Sequence, residues 1–239
     1  MPTTLTPQPA CWALVPAAGS GRRMGAQAPK QYLELGGRTV LEHTLAVLAA
    51  DPAIEGVVLV GDRERWPAGL EAVLGGKPLI GAEGGAERCH SVLNGLRRLA
   101  AGVTGDPWVL VHDAARPCLR AADLRHLVVA LAEHPVGGLL AVPASDTLKR
   151  ADAALAVRET LDRSDVWHAQ TPQMFRLALL SDALGRALQA GHEVTDESSA
   201  VEFAGHRPLL VEGHADNIKI TRPEHLALAE FHLRQQGRL

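Results

Sequence analysis

The sequence predicts an α/β protein built on a mostly parallel, doubly wound sheet, and three observations carry that expectation. Short Val- and Leu-rich runs alternate with segments of helical period through the first half of the chain. The runs ending at Val15 and Val111 empty directly into loops of small and charged residues, as strands do at the carboxyl edge of an open parallel sheet. A length of 239 residues with 46% hydrophobic content suffices for one substantial core, so 1–239 is expected to be a single domain.

Residues 11–15 read as the first buried strand, and the loop after it has the composition of a phosphate loop. Gly19, Gly21 and Gly25 allow close backbone approach to an anion, Arg22, Arg23 and Lys30 supply charge, and nothing acidic lies between Cys11 and Lys30. The glycine spacing approximates a dinucleotide fingerprint, but Asp62 comes too late for a ribose-binding acid, and no Gly-x-x-x-x-Gly-Lys-Ser/Thr run is present. A solvated basic turn is the plain alternative.

Next, 39–50 has helical period, with Thr39 placed to cap and Asp51-Pro52 placed to stop it. A strand at 56–60, a weaker helix at 63–74 and a strand at 77–80 follow, Pro78 marking the last as an edge. The period over 87–101 predicts a helix, and 107–111 a strand running into His112-Asp-Ala-Ala-Arg116. A carboxylate at Asp113, leaving a buried strand opposite a cationic loop, suits a divalent metal; an N-cap or an ion pair with Arg116 is the simpler role. His112 reads as structural.

A helix over 121–133 and a strand over 138–142 precede a break in rhythm. Residues 143–165 are polar and alternate in charge, and strand-like pieces at 147–150 and 156–159 suit a hairpin arm swapped across a homodimer. The core resumes with a strand at 166–169, a helix over 173–189 and a late strand at 209–212. Alternation over 217–221 predicts a strand with Asn217, Lys219 and Thr221 on one face, Lys219 being informative because a central lysine needs an anion. The terminal helix, 223–235, should bury Leu226, Leu228, Ala229 and Leu233.

Composition narrows the function. A formal net charge of −3 gives no general reason to expect nucleic acid or membrane as partner, and the scarcity of Tyr and Phe argues against a base-stacking surface. No apolar run approaches a membrane span and no basic leader precedes one, so a cytoplasmic protein is expected. Cys11, Cys89 and Cys118 form no CxxC pair and read as core residues, Cys118 beside Arg116 being the one to watch for reactivity; the histidines lack the paired spacing of a zinc site.

Several blocks together carry a resemblance: VPAAGSGRRM at 15–24, PKQYL at 29–33, ERCHSV at 87–92, VHDAARP at 111–117, DTLKR at 146–150, WHAQTPQMF at 167–175, TDESSAVE at 195–202 and DNIKITRPEHL at 216–226. Over nearly its whole length the chain resembles the 2-C-methyl-D-erythritol 4-phosphate cytidylyltransferases of non-mevalonate isoprenoid synthesis. The resemblance implies a Rossmann-like fold of the nucleotide-diphospho-sugar transferase type with a β-hairpin dimerisation arm, and CMP transfer from CTP with Mg²⁺. A ribitol-5-phosphate or other polyol-phosphate cytidylyltransferase would keep the same chemistry; an NADP oxidoreductase or a non-catalytic nucleotide sensor would leave Lys30, Asp113 and Lys219 without a task.

Carried over by position, the resemblance implies that Arg23, Lys30 and Lys219 are catalytic, the first two on the triphosphate and the last on the acceptor phosphate or α-phosphate. Ala17, Ala18, Gly19, Gly21, Gly85, Ser91, Asp113 and Ala114 would surround the nucleotide, with Gly85 backbone and Ser91 hydroxyl near the base. Ala86 stands where the family usually has an acid, which leaves a backbone role there. Asp113 would hold Mg²⁺, Arg116, Thr171 and Thr195 would shape the acceptor pocket, and Thr147 and Arg163 would reach a neighbouring subunit's site.

Overall fold

A computed structural model describes residues 9–19 and 29–239 of the chain. The expectations for Gly21, Arg22, Arg23 and Gly25 lie outside the described residues. β1 (Cys11–Pro16) is buried from Cys11 to Val15, and its alternation sets the architecture. Cys11, Ala13 and Val15 join one apolar cluster while Trp12 and Leu14 join another, so β1 is covered on both faces.

The small antiparallel pair β2 (Glu34–Leu35) and β3 (Arg38–Thr39) leads into α1 (Val40–Ala50). Thr39 caps α1 reciprocally: its hydroxyl accepts from the Glu42 N–H while its own N–H donates to the Glu42 carboxylate. β4 (Ile54–Val60), α2 (Leu70–Val73), β5 (Leu79–Ala82), α3 (Arg88–Ala100) and β6 (Trp108–Val111) complete the first half. Then come α4 (Ala121–Leu131), β7 (Gly137–Pro143), β8 (Lys149–Ala151), β9 (Val157–Thr160), β10 (Trp167–Arg176), α5 (Leu177–Gln189), α6 (Glu197–Phe203), β11 (Leu209–Glu212) and α7 (Glu224–Gln235).

Among the described residues, seven strands form the main sheet in the order β11-β7-β10-β6-β1-β4-β5. The pairs β1–β4, β1–β6, β4–β5 and β7–β11 are parallel, and β10 runs antiparallel to both neighbours. Leu41 and Leu45 of α1 with Leu124 and Leu127 of α4 cover one face; Val92 and Leu96 of α3 with Leu180 and Leu184 of α5 cover the other. Each such side chain contributes about 1.5–3 kcal/mol on full burial. A third cluster, including Leu35, Cys118, Ile220 and Leu233, seats α7 near the loop after β6.

Four expectations need correction. The helix expected from 173 begins at Leu177, because β10 continues through Gln173-Met174-Phe175. Met174 and Phe175 are both fully buried and belong to opposite core clusters, the period-2 signature of a strand covered on both faces. Pro172 is tolerated because the ladder to β7 shifts register between Ala169 and Gln173. The helix over 63–74 is broken into a 3-10 turn at Arg63–Arg65 and the short α2, with Pro67 and a left-handed Gly69 between them. Residues 217–221 form no strand: fully buried Asn217 anchors them by donating from its amide to Gln170 Oε1 and the Thr171 carbonyl. On α7, Leu228 is exposed while Ala229 and Leu233 are buried.

β5 lies at the sheet edge, as Pro78 suggests. β8 and β9 pair antiparallel in a separate two-stranded sheet whose strand residues are all exposed. Cys118 is fully buried, its thiol donates to the Ala229 carbonyl, and burial pushes its pKa up to about 12, which removes it as a reactive thiol.

Candidate active site

The loops after β1, β5 and β6 meet at the carboxyl ends of their strands around a cleft of about 510 Å³. Ala17, Ala18, Gly19, Lys30, Gly85, Ser91, Asp113, Ala114 and Lys219 line it, so the structure gathers these sequence-predicted residues in one place. Two local devices hold the walls. Gln31, almost fully buried, donates its amide to the carbonyls of Ala17 (2.6 Å) and Gly19 (3.0 Å), tying the loop after β1 to the 3-10 turn Lys30–Tyr32. Gly84 crosses that loop so closely that a Cβ there would fall on the Ala18 methyl, and a Cβ on Gly85 would fall on His90.

Ser91 locks the turn before α3. Its hydroxyl accepts from the Gly85 N–H at 2.9 Å and donates to the Glu87 carbonyl at 3.1 Å. One acceptor lone pair on the oxygen is left over.

Asp113 is the electrostatic centre. Its Oδ1 meets Arg88 Nε at 2.9 Å, and its Oδ2 faces Lys219 Nζ at 2.9 Å and Arg116 Nε at 3.5 Å. Arg88 in turn grips the fully buried Glu197 through both guanidinium ends, at 2.6 and 3.1 Å. Arg116 also donates to the Asn217 carbonyl at 2.6 Å, which fixes the chain two residues before Lys219. Burial opposes the Asp113 charge, but Arg88, Lys219 and Arg116 together hold its carboxyl well below the ordinary carboxylate range. Burial likewise opposes the Arg88 charge, and Glu197 with Asp113 more than reverses that effect. The ion pair with Arg116 expected as the simpler role of Asp113 is present, within a larger cluster.

His112 braces this loop and its tautomer follows from its partners. Nε2 lies 3.1 Å from the Arg116 carbonyl, which can only accept, so Nε2 carries the proton. Nδ1 then accepts from the Thr171 hydroxyl at 2.9 Å, and that oxygen accepts from the Asp113 N–H at 3.1 Å. Complete burial pushes the His112 pKa down to about 4, so the ring is neutral near pH 7.

A second cavity of about 280 Å³ adjoins the first and is lined by Arg116, Thr171 and Thr195. Arg88, Asp113 and Lys219 line both, so this ionic bar stands between the two lobes. Thr147 and Arg163 line neither and are exposed, just outside β8 and β9. Arg88, Glu197 and Gln31 carry no role in the reading of the sequence. The signal for Arg88 and Glu197 was a pairing across 109 positions, invisible to local pattern.

For a metal, Glu87 and Asp113 are the carboxylates lining the larger lobe among the described residues. Both Asp113 oxygens already face cations, so this donor set could give a hard ion only a small part of its shell, the rest coming from phosphate and water. It does not form a protein cage.

Comparison with known proteins agrees with this geometry. Residues 11–235 match the family model described as 2-C-methyl-D-erythritol 4-phosphate cytidylyltransferase. The 2-C-methyl-D-erythritol 4-phosphate cytidylyltransferase of Pseudomonas aeruginosa is 57% identical over 226 residues, spanning 93% of this chain and 96% of that protein. That of Pseudomonas entomophila is 57% identical over 221 residues, 91% of this chain and 93% of that one. The crystal structure of a 4-diphosphocytidyl-2C-methyl-D-erythritol synthase superposes with a TM-score of 0.79 at 37% identity, covering 95% of this chain and all (100%) of that one. The Francisella tularensis enzyme of the same family gives 0.79 at 34% identity, over 94% of this chain and 100% of that one. The chain belongs to the 2-C-methyl-D-erythritol 4-phosphate cytidylyltransferase family.

Proposed function

We propose that this chain transfers CMP from CTP to 2-C-methyl-D-erythritol 4-phosphate, yielding 4-diphosphocytidyl-2-C-methyl-D-erythritol and pyrophosphate for isoprenoid precursor synthesis. The observation that carries this reading is the pair of lobes sharing one ionic bar, Arg88–Asp113–Lys219. CTP occupies the larger lobe, against the loop after β1, with its base at Gly85 and Ser91. The free lone pair of the Ser91 oxygen suits an exocyclic amino donor such as that of cytosine. The acceptor lies in the smaller lobe, against Arg116, Thr171 and Thr195.

An acceptor phosphate oxygen, already anionic, attacks the α-phosphorus in line. The bond to the bridging oxygen breaks, and that oxygen leaves with pyrophosphate. No protein nucleophile is required, so the residues align two anions and meet the charge that develops. Lys30, with Arg23, stabilises the attacked α-phosphate; Lys219 leaves Asp113 to meet the acceptor phosphate or α-phosphate, and Arg116 keeps the site positive. Asp113 would hold Mg²⁺ together with phosphate oxygens, and the ion's chemistry there is neutralisation of the triphosphate charge.

The whole chain acts as one catalytic domain, in a cytoplasmic setting where CTP is available. Residues 143–165 form the arm of a homodimer, carrying Thr147 and Arg163 into the partner's acceptor lobe. The exposure of Leu155 and Val157 on the hairpin, apolar surface left uncovered among the described residues, supports arm exchange. The test is pyrophosphate release from CTP over a panel of polyol phosphates. We expect release with 2-C-methyl-D-erythritol 4-phosphate, little with ribitol 5-phosphate, and loss with excess EDTA. Equal turnover of both acceptors would overturn the substrate assignment, and no release with any acceptor would overturn the reaction.

A further inference from the structure

The mouth of the nucleotide lobe carries a side-chain cluster that the transfer reaction does not use. Glu87, Cys89 and His90 lie at the start of α3 and bring a carboxylate oxygen, a thiol and a ring nitrogen within 4.8 Å of one another. The Cys89 Sγ is 3.6 Å from Glu87 Oε2 and 3.8 Å from His90 Nδ1, and that nitrogen is 3.9 Å from the same carboxylate oxygen. Zinc bonds of about 2.3 Å to sulfur and about 2.0–2.1 Å to nitrogen or oxygen give tetrahedral edges of roughly 3.3–3.6 Å. The three distances therefore need to contract by about 0.6 Å or less, within side-chain rotation.

The surroundings favour coordination as well. Glu87 is the N-cap residue of α3, yet its carboxylate makes no capping bond. The Glu87 and His90 side chains are 72% and 43% exposed, leaving a path for an ion and a fourth position for water, whereas the Cys89 residue is buried. We infer that Glu87, Cys89 and His90 form a site for a borderline-soft divalent cation of the Zn²⁺ class. The thiol gives its proton to solvent as the metal–sulfur bond forms. A mixed sulfur, nitrogen and oxygen set disfavours Mg²⁺, which separates this site from Asp113.

Occupancy would act on the turn that frames the nucleotide. The Glu87 carbonyl accepts from both the N–H and the hydroxyl of Ser91, and Gly85 packs directly on His90. An ion joining Glu87, Cys89 and His90 therefore ties the N-cap to the first turn of α3, the turn on which Gly85 packs.

Co²⁺ titrated into the full-length protein without nucleotide tests this through absorption, independently of any acceptor. We expect a thiolate-to-cobalt charge-transfer band that Zn²⁺ abolishes and excess Mg²⁺ leaves in place. It should vanish in Cys89→Ser and persist in Cys118→Ser. In His90→Ala and Glu87→Gln, changes at exposed positions that should leave the fold intact, Co²⁺ affinity should fall at least tenfold, about the lower bound for losing even an outer-shell partner. No band in the wild type, a band surviving Cys89→Ser, or unchanged affinity in both His90→Ala and Glu87→Gln would overturn the site.

Discussion

The cluster around Asp113 and the hairpin of β8 and β9 both contain an arginine–carboxylate pair, and they differ in what surrounds it. Arg88 meets a Glu197 with no exposed surface, whereas Arg150 and Glu159 are each more than half exposed, at 58% and 54%. Water screens the second pair and leaves the first to protein partners. The comparison teaches that pairing alone says little about importance; the environment of the weaker-hydrated partner decides what its loss costs.

The largest effect should come from linking the two regions. Lys30→Ala is expected to lower kcat by about 10²–10³-fold, the order of removing one transition-state donor. Arm exchange predicts that Arg163→Ala is also nearly inactive, and that a mixed dimer has one site with both lesions and one with neither. Co-refolding the two variants with differential tags and isolating the heterodimer should restore about half of wild-type activity per dimer. A heterodimer that forms but stays inactive would mean either that Arg163 serves its own subunit's site or that the two sites do not work independently.

Within the cluster, Glu197→Ala takes the fully buried carboxylate from the partly buried Arg88 and leaves it Asp113 alone. A loss of about 3 kcal/mol in urea unfolding is expected, the low end for breaking a buried pair, because Asp113 still meets the guanidinium. A loss below 1 kcal/mol, on the order of an exposed pair, would erase the distinction between the two regions.

His112 gives a pH signature. Its folded pKa of about 4 lies below the ordinary 6.5, so the unfolded chain binds the proton more readily. Its contribution to stability is present above pH 6.5 and is lost as pH falls toward 4, by up to about 3 kcal/mol. The depressed Asp113 carboxyl acts in a lower window, beginning near its ordinary 3.8 and extending downward, so the two separate. His112→Asn should flatten the stability profile between pH 4 and 6.5; an unchanged slope would assign that slope to other groups, such as His43, which burial also depresses. The smallest effect belongs to the arm: Arg150→Ala should change stability by less than about 1 kcal/mol, measured by thermal melting.

Much of the site was legible because chemistry follows the ends of apolar runs. Val15 ends the buried part of β1 and Val111 ends β6, and the loop beyond each lines the cleft. The capping of α1 and the edge position of β5 were legible for local reasons, a Thr-x-x-Glu box and a proline. Lys219 was found by a wrong route: no strand alternation turns it toward Asp113, and the buried Asn217 amide holds its segment instead. β10 was misjudged because leucines at helical spacing begin inside the same window, and only its pairing with β6 and β7 settles the type. Arg88 and Glu197 stayed hidden because a buried ion pair has no local signature.

The position of β1 also bears on how the chain is made. It is the first strand among the described residues, yet its neighbours in the sheet begin at Ile54 and Trp108. At roughly 5–20 residues per second, a ribosome needs about 5–20 s after emitting β1 before its second neighbour exists. Through that interval Cys11-Trp-Ala-Leu-Val15 is a nascent apolar segment with one side of its ladder unsatisfied. Such a wait favours slow, non-local assembly and keeps apolar surface exposed while the chain is still being made.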